Sequence, residues 1–179
     1  MIYTTTYESP LGVITLASDE KNLIGLWIRG QKYFTASIKS RAEEKSDLAV
    51  FDKTKKWLDA YFAGENPAIS QLPLSPIGSD FRKAVWDILR EIPYGQCTTY
   101  GEISKKMAVR MNRKSMSSQA VGGAVGHNTI SIIIPCHRVV GSNGSLTGFA
   151  GGIDKKIKLL ELEGVDMSKF FVPSKGTAL

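Results

Sequence analysis

The sequence predicts an α+β fold in two parts: a small N-terminal β-sheet and helix domain over residues 1–78, and a mostly helical C-terminal domain over 79–179. Three observations carry this. Short β-branched and aromatic runs crowd the N-terminal end. The stretch from Pro67 to Gly78 holds three prolines and no helical period, which marks a boundary. Beyond it, apolar residues recur at the spacing of amphipathic helices.

The N-terminal strands are expected at Ile2–Tyr7, Gly12–Ser18 and Leu23–Ile28, with turns at Glu8–Gly12 and Asp19–Asn22. A helix is expected around Thr54–Phe62, where Trp57, Leu58, Tyr61 and Phe62 share a face and Gly64 stops it. In the second domain Ser79 is placed to cap a helix whose core face is Phe81, Val85, Leu89 and Ile92, ended by Pro93 and Gly95. Thr99 and Glu102 form a capping-box pattern for a short helix reaching about Met107. Arg110–Ser115 reads as a polar, basic turn, and a second short helix runs from about Ser118 to Val125 under a Ser117 or Ser118 cap. Two short helices joined by such a turn suggest a helix-turn-helix. Gly122 and Gly123 lie inside its second helix at a cost of about 1 kcal/mol each. They serve either close helix packing or close approach to another surface such as a DNA groove. Ile130–Ile134 reads as a buried strand that Pro135 ends, a Gly- and Ser-rich loop covers Gly141–Gly152, and a last helix spans about Ile153–Glu163 before Gly164.

Composition excludes several classes. Apolar runs such as Ser131–Ile134 are far too short to span a bilayer, and the start at Met1 shows no basic region followed by an apolar stretch, so neither a membrane segment nor a secretory signal is expected. Two cysteines make no disulfide framework, and two histidines without paired spacing make no zinc site. The expectation is a reduced, cytoplasmic protein without metal or cofactor. The net charge of +6 lies wholly in residues 79–179, which hold fourteen basic and eight acidic side chains; residues 1–78 hold nine of each. No acidic residue occurs between Glu102 and Asp154, while Lys105, Lys106, Arg110, Arg113 and Lys114 crowd one segment. Such a stretch suits a polyanion, and nucleic acid is the expected partner.

Cys136 carries the chemistry. Pro135 stops the ladder just before it and His137 follows directly. A free thiol holds only a few per cent thiolate at neutral pH, so a nearby imidazole oriented by a carboxylate would activate it. Adjacent side chains of an extended segment point apart, so this needs a turn or a bridging water. Glu161 and Glu163 are the acidic candidates on the last helix. Cys97 and His127 read as structural, and Arg138 as either a DNA contact or a loop anchor.

The run Ile134-Pro135-Cys136-His137-Arg138-Val139 resembles the acceptor motif of the O6-alkylguanine-DNA alkyltransferases, also called methylated-DNA–protein-cysteine methyltransferases. Thr99–Ile103, Ala120–Ala124, Gly126–Asn128, Gly148–Gly152 and Leu159–Gly164 are similar to the family in order and spacing, and the detailed likeness covers residues 79–165. The resemblance implies a ribonuclease-H-like N-terminal domain and a winged helix-turn-helix-like C-terminal one. It implies DNA repair by direct reversal: an alkyl group passes irreversibly from O6-alkylguanine in double-stranded DNA to Cys136, once per molecule, with O4-alkylthymine a second candidate substrate. His137 would take the thiol proton through a water, Glu163 would orient His137, Asn128 would pin the adjoining turn, and Tyr100 would serve the departing guanine. Ser117, Gln119, Ala120, Gly122 and Gly123 would face DNA, Arg138 would be a further contact, and Val139 and Ala150 would line the pocket for a flipped base. The chain departs from many members in carrying Gln119 instead of arginine, and from some in carrying Ala150 instead of serine. A monomer is expected. The competing reading is a helix-turn-helix damage sensor or regulator that binds DNA without chemistry; a cysteine hydrolase is a third, opposed by the lack of a remote histidine and a glycine-rich oxyanion turn.

Overall fold

The computed structural model describes residues 1–33, 38 and 41–174, and the chain divides into two compact units. The first unit comprises residues 1–77 together with 129–133; the second comprises 78–128 and everything from 134 onward. The break after Ile77 falls where the proline-rich stretch ends, but the return of 129–133 to the first unit has no counterpart in the sequence reading.

In the first unit β1 (Ile2–Ser9), β2 (Gly12–Ser18), β3 (Leu23–Ile28) and β4 (Ala42–Glu44) form a sheet in the order β3-β2-β1-β4. The first three strands are antiparallel neighbours. Ser9 pairs with Gly12 across the Pro10-Leu11 turn, and the Ser9 hydroxyl donates to Gly12 O at 2.6 Å. β4, parallel to β1, is short and fully exposed, so it lacks the alternation that announces a strand. Helix α1 runs from Ala49 to Phe62 and buries Val50, Phe51, Thr54, Trp57, Leu58 and Tyr61. It starts earlier than expected because Leu48, at its N-cap, offers no side-chain acceptor to mark the start.

The expected strand at Ile130–Ile134 does not form. Ile130 makes a single parallel bridge to Leu26, with Leu26 N–H donating to Thr129 O at 2.8 Å and Ser131 N–H donating to Leu26 O at 3.1 Å. The chain then turns: Ile133 N–H donates back to Ser131 O, and Ile132 sits at φ 71°. The isoleucines are nonetheless buried. A β-branched residue in the left-handed region costs about 1–3 kcal/mol and persists only where surrounding packing over-determines it.

The second unit contains α2 (Asp80–Leu89), β5 (Thr98–Thr99), α3 (Tyr100–Arg110), α4 (Ser118–Gly126), β6 (Val139–Val140) and α5 (Ile153–Leu162). The predicted caps are in place: Ser79, Thr99 and Ser117 accept from Arg82, Glu102 and Ala120 N–H at 3.3, 3.1 and 3.2 Å. The Glu102 carboxylate meets Lys105 at 3.1 Å, and α3 runs past the expected Met107 to Arg110. β5 and β6 pair in parallel, tying the start of α3 to the segment just after Cys136.

Trp86 on α2 is 1 % exposed and donates its indole N–H to Ala124 O at 2.8 Å. That carbonyl is one of those a helix leaves unpaired at its C-terminal end, so α2 closes α4. Trp86→Phe is expected to keep most of the packing but strand this acceptor, lowering stability by about 1–3 kcal/mol in urea denaturation.

Candidate active site

A 3₁₀ turn over Cys136–Arg138 replaces the extended segment that would have splayed neighbouring side chains apart. Pro135 enters it at φ −82° and ψ 66°, and Arg138 N–H donates to Pro135 O at 3.1 Å. The Ile134 carbonyl accepts twice, from Cys136 N–H at 2.8 Å and from the Asn128 amide at 2.8 Å. Asn128, 3 % exposed, thus pins the approach to the turn. Cys136 and His137 are both buried, at 5 % and 0 % exposure.

Glu163, just past the end of α5, organises what surrounds them. Its Oε1 lies 2.7 Å from His137 Nε2 and 2.9 Å from Arg138 Nη2; its Oε2 takes Arg138 Nε at 2.8 Å and Gly95 N–H at 3.2 Å. Burial works against the Glu163 carboxylate, but the hydrogen bonds from His137 and Arg138 outweigh it and hold the group far below the usual carboxylate range. An ionised acceptor at Nε2 assigns the ring proton to that nitrogen. Nδ1 is then a bare base, buried and without a hydrogen-bond partner among the described residues. Burial lowers the pKa of His137, and although Glu163 opposes this, Arg138 and Lys156 reinforce it, so the ring is neutral. The glutamate that the sequence left open is therefore Glu163; Glu161 is exposed.

Of the two roles the sequence leaves open for Arg138, the structure favours the loop anchor. It is 6 % exposed, its guanidinium is shared between Glu163 and Ile92 O at 2.7 Å, and it lies near the Tyr94 ring, so it anchors the turn. Val139 is fully buried in β6 with its carbonyl held by the Lys156 ammonium, so that carbonyl is committed to the protein. Ala150 is partly exposed in the loop before α5. Tyr100, the first residue of α3, donates its phenol to Thr147 O at 3.0 Å in that same loop. Burial first, and the charge of Cys136 second, push the Tyr100 pKa up to about 12, so the phenol stays protonated. A side chain at Gly148 would put its Cβ 2.6 Å from the Tyr100 oxygen, which explains the glycine there.

Lys156 is the residue the sequence reading missed. It is fully buried on α5, donates to Val139 O and, at 2.8 Å, to Thr147 O, and shares the latter acceptor with Tyr100. Burial pulls its pKa down to about 8 against the opposing influence of Cys136 and Cys97. On sequence it is one lysine among several on a helix; only its i+3 and i+4 apolar neighbours Leu159 and Leu160 hint that it shares their buried face.

The outer face of α4 presents Ser118, Gln119, Ala120 and Gly123, with the Ser117 cap also exposed, while Val121, Ala124 and Val125 face inward. A Cβ at Gly123 would meet nothing within 4 Å, and one at Gly122 would touch the Tyr100 ring at an ordinary 3.9 Å. Packing inside the protein therefore does not demand either glycine. Among the described residues no group of three or more His, Cys, Asp or Glu could hold a metal, and no helix is long and apolar enough to cross a membrane.

Two family models cover nearly the whole chain: the ribonuclease-like domain of 6-O-methylguanine DNA methyltransferase matches residues 2–76, and its DNA-binding domain matches 80–165. The chain belongs to this family. The fold is accordingly a ribonuclease-like sheet domain followed by a helical DNA-binding domain. A methylated-DNA–protein-cysteine methyltransferase of Methanosarcina acetivorans is 44% identical over 164 residues, 91% of this chain and 99% of its own length. The protein of the same name from Haemophilus influenzae is 41% identical over 92% of this chain and 87% of its own. Mycobacterium tuberculosis OGT in complex with DNA superposes with a TM-score of 0.79 at 37% identity, covering 96% of both chains.

The charge cluster makes stability pH-dependent. His137 and Glu163 both bind protons less readily folded than unfolded. The unfolded state therefore takes up protons first, near pH 6.5 for histidine and again near about 4.3 for glutamate, and stability falls as pH drops through each. Denaturation measured across this range should show both steps, and His137→Gln should remove the upper one and shrink the lower, since His137 is one of the groups that lower Glu163.

Proposed function

We propose that this protein repairs O6-alkylguanine in double-stranded DNA by moving the alkyl group onto Cys136 in a single irreversible step. The observation that carries the reading is the buried Cys136-His137-Glu163 arrangement, with a neutral imidazole whose free nitrogen is a base. His137 Nδ1 accepts the thiol proton, relayed by a water, and Glu163 stabilises the imidazolium that results. The thiolate attacks the alkyl carbon opposite O6; the carbon–sulfur bond forms as the carbon–oxygen bond breaks, and its electron pair stays on the guanine oxygen. Tyr100, protonated and placed over the loop, turns its phenol from Thr147 O toward the purine and meets the developing negative charge. Among the described residues no group offers a route to cleave a thioether, so the protein is consumed as it acts.

The nucleotide must leave the duplex to reach a sulfur this enclosed, with unpairing offset by contacts in the site. The small residues exposed on α4 suit close approach to the minor groove. Lys156 supports the thiolate by placing a positive charge near Cys136 and by fixing the carbonyls on either side of the pocket. The protein acts as a monomer in the reducing cytoplasm, where Cys136 and Cys97 remain thiols. O4-alkylthymine is a further candidate substrate.

Intact mass measured after incubation with an O6-methylguanine duplex should rise by one methylene unit, localised to the Cys136 peptide. Cys136→Ser should lose the gain and keep DNA affinity. Binding without any gain in the unaltered protein would leave only a non-catalytic damage sensor.

Two further outcomes follow from the site. Because Lys156 loses its charge as pH rises through about 8, the single-turnover rate should decline above that value, and Lys156→Met should be slower and lack this limb. Gly123→Ala should stabilise the fold by up to about 1 kcal/mol, since it fills open space with a better helix former. The same variant should weaken DNA binding, by fluorescence anisotropy, if α4 lies against the groove.

A further inference from the structure

The basic segment resolves into two groups once its ion pairs are known. Lys105 meets Glu102 at 3.1 Å, Lys106 meets Glu91 at 3.8 Å, and Arg110 also pairs with Glu91. Arg113 and Lys114, in the turn between α3 and α4, are exposed and have no carboxylate partner among the described residues. They line a cleft of about 480 Å³ together with α3, from which Lys105 and Val109 contribute, and with Ser115, Met116 and Ser118.

The surroundings of this cleft favour an anion. The exposed face of α4 brings no charged side chain, and its first turn has no acidic residue to complement the helix N-terminus. If α4 lies against a duplex, its own contacts neutralise no phosphate. The unpaired cations nearest to it in sequence are the two in the cleft. Seryl hydroxyls beside them can donate to phosphate oxygens.

We propose that the cleft between α3 and α4 is a phosphodiester site in which Arg113 and Lys114 grip the DNA backbone beside the lesion, supplying the sequence-independent part of affinity that α4 lacks. This rests on the DNA-repair reading above. It assigns the two residues to holding the duplex and gives them no part in the chemistry at Cys136.

The test is the salt dependence of duplex binding by the full chain. Each phosphate neutralised contributes about 0.9 to the slope of log K against log salt concentration. Arg113→Gln/Lys114→Gln should lower that slope by about 1–2. Transfer from free O6-benzylguanine base, which has no phosphates, should keep its rate. Lys53→Gln/Lys56→Gln is the matched control: it removes the same charge from a cleft of about 310 Å³ in the first unit and should leave the slope unchanged. Should the double variant misfold, seen as loss of free-base transfer, the two single variants should each show about half the drop. An unaltered slope, or an equal fall in the control, overturns the proposal. Failure of the unaltered protein to take an alkyl group from either substrate would instead overturn the repair reading, whatever the slope.

Discussion

A single buried carboxylate holds this site together. Removing Glu163 from water is expensive by several kcal/mol, and the structure meets that cost with four donors on its two oxygens. Each donor comes from a place that must be fixed for the site to exist. Gly95 belongs to the turn after α2, His137 and Arg138 to the 3₁₀ turn that carries Cys136, and Glu163 itself caps α5. Gly95 is at φ 75°, where a side chain would strain the backbone and press on Glu163 O at 3.0 Å. The same ion thus fixes helix ends, the turn and the histidine tautomer.

Arg138 and His137 compete for that carboxylate, and the competition has a chemical result. A histidine facing an unshared glutamate would be drawn toward its charged form, which could not accept a proton. Here burial of His137 disfavours its charged form, and Arg138, which donates hydrogen bonds to both oxygens, works in the same direction, so the ring rests neutral. The arrangement gives a base in the resting state and still leaves a carboxylate beside it when the proton arrives. Arg138 is better understood as an anchor of the turn that adds to burial in keeping its neighbour unprotonated.

The features legible in the sequence are those set by local hydrogen bonding. Ser79, Thr99 and Ser117 satisfy N–H groups three residues away, so their helix starts could be placed without tertiary knowledge. Cys136 and His137 stood out as neighbours, but whether they could cooperate depended on a turn after Pro135 that no period announces. The Ile130–Ile134 run reads as a strand and folds as a turn for a related reason. Burial of every isoleucine is compatible with a strand or with a turn, and only packing that forces Ile132 to positive φ decides between them. Lys156 is not legible because its burial is supported by carbonyls of Val139 and Thr147, 17 and 9 residues away, and no motif names a lysine at this position.

Tyr100 links the two halves of the task. It is the first helical residue of α3, so the Thr99 cap fixes its backbone; its ring lies within an ordinary contact of where a Gly122 side chain would be; and its phenol reaches Thr147 O in the loop beside Gly148. One side chain therefore reaches from beside α4 to the loop that holds Gly148, where the glycine leaves room for its hydroxyl. Lys156 holds the far side of the same Thr147 carbonyl. Packing against the Tyr100 ring does not demand the glycines on α4, so their cost in helix stability argues for a contact outside the protein, and the proposed approach of DNA to this helix draws its support from there.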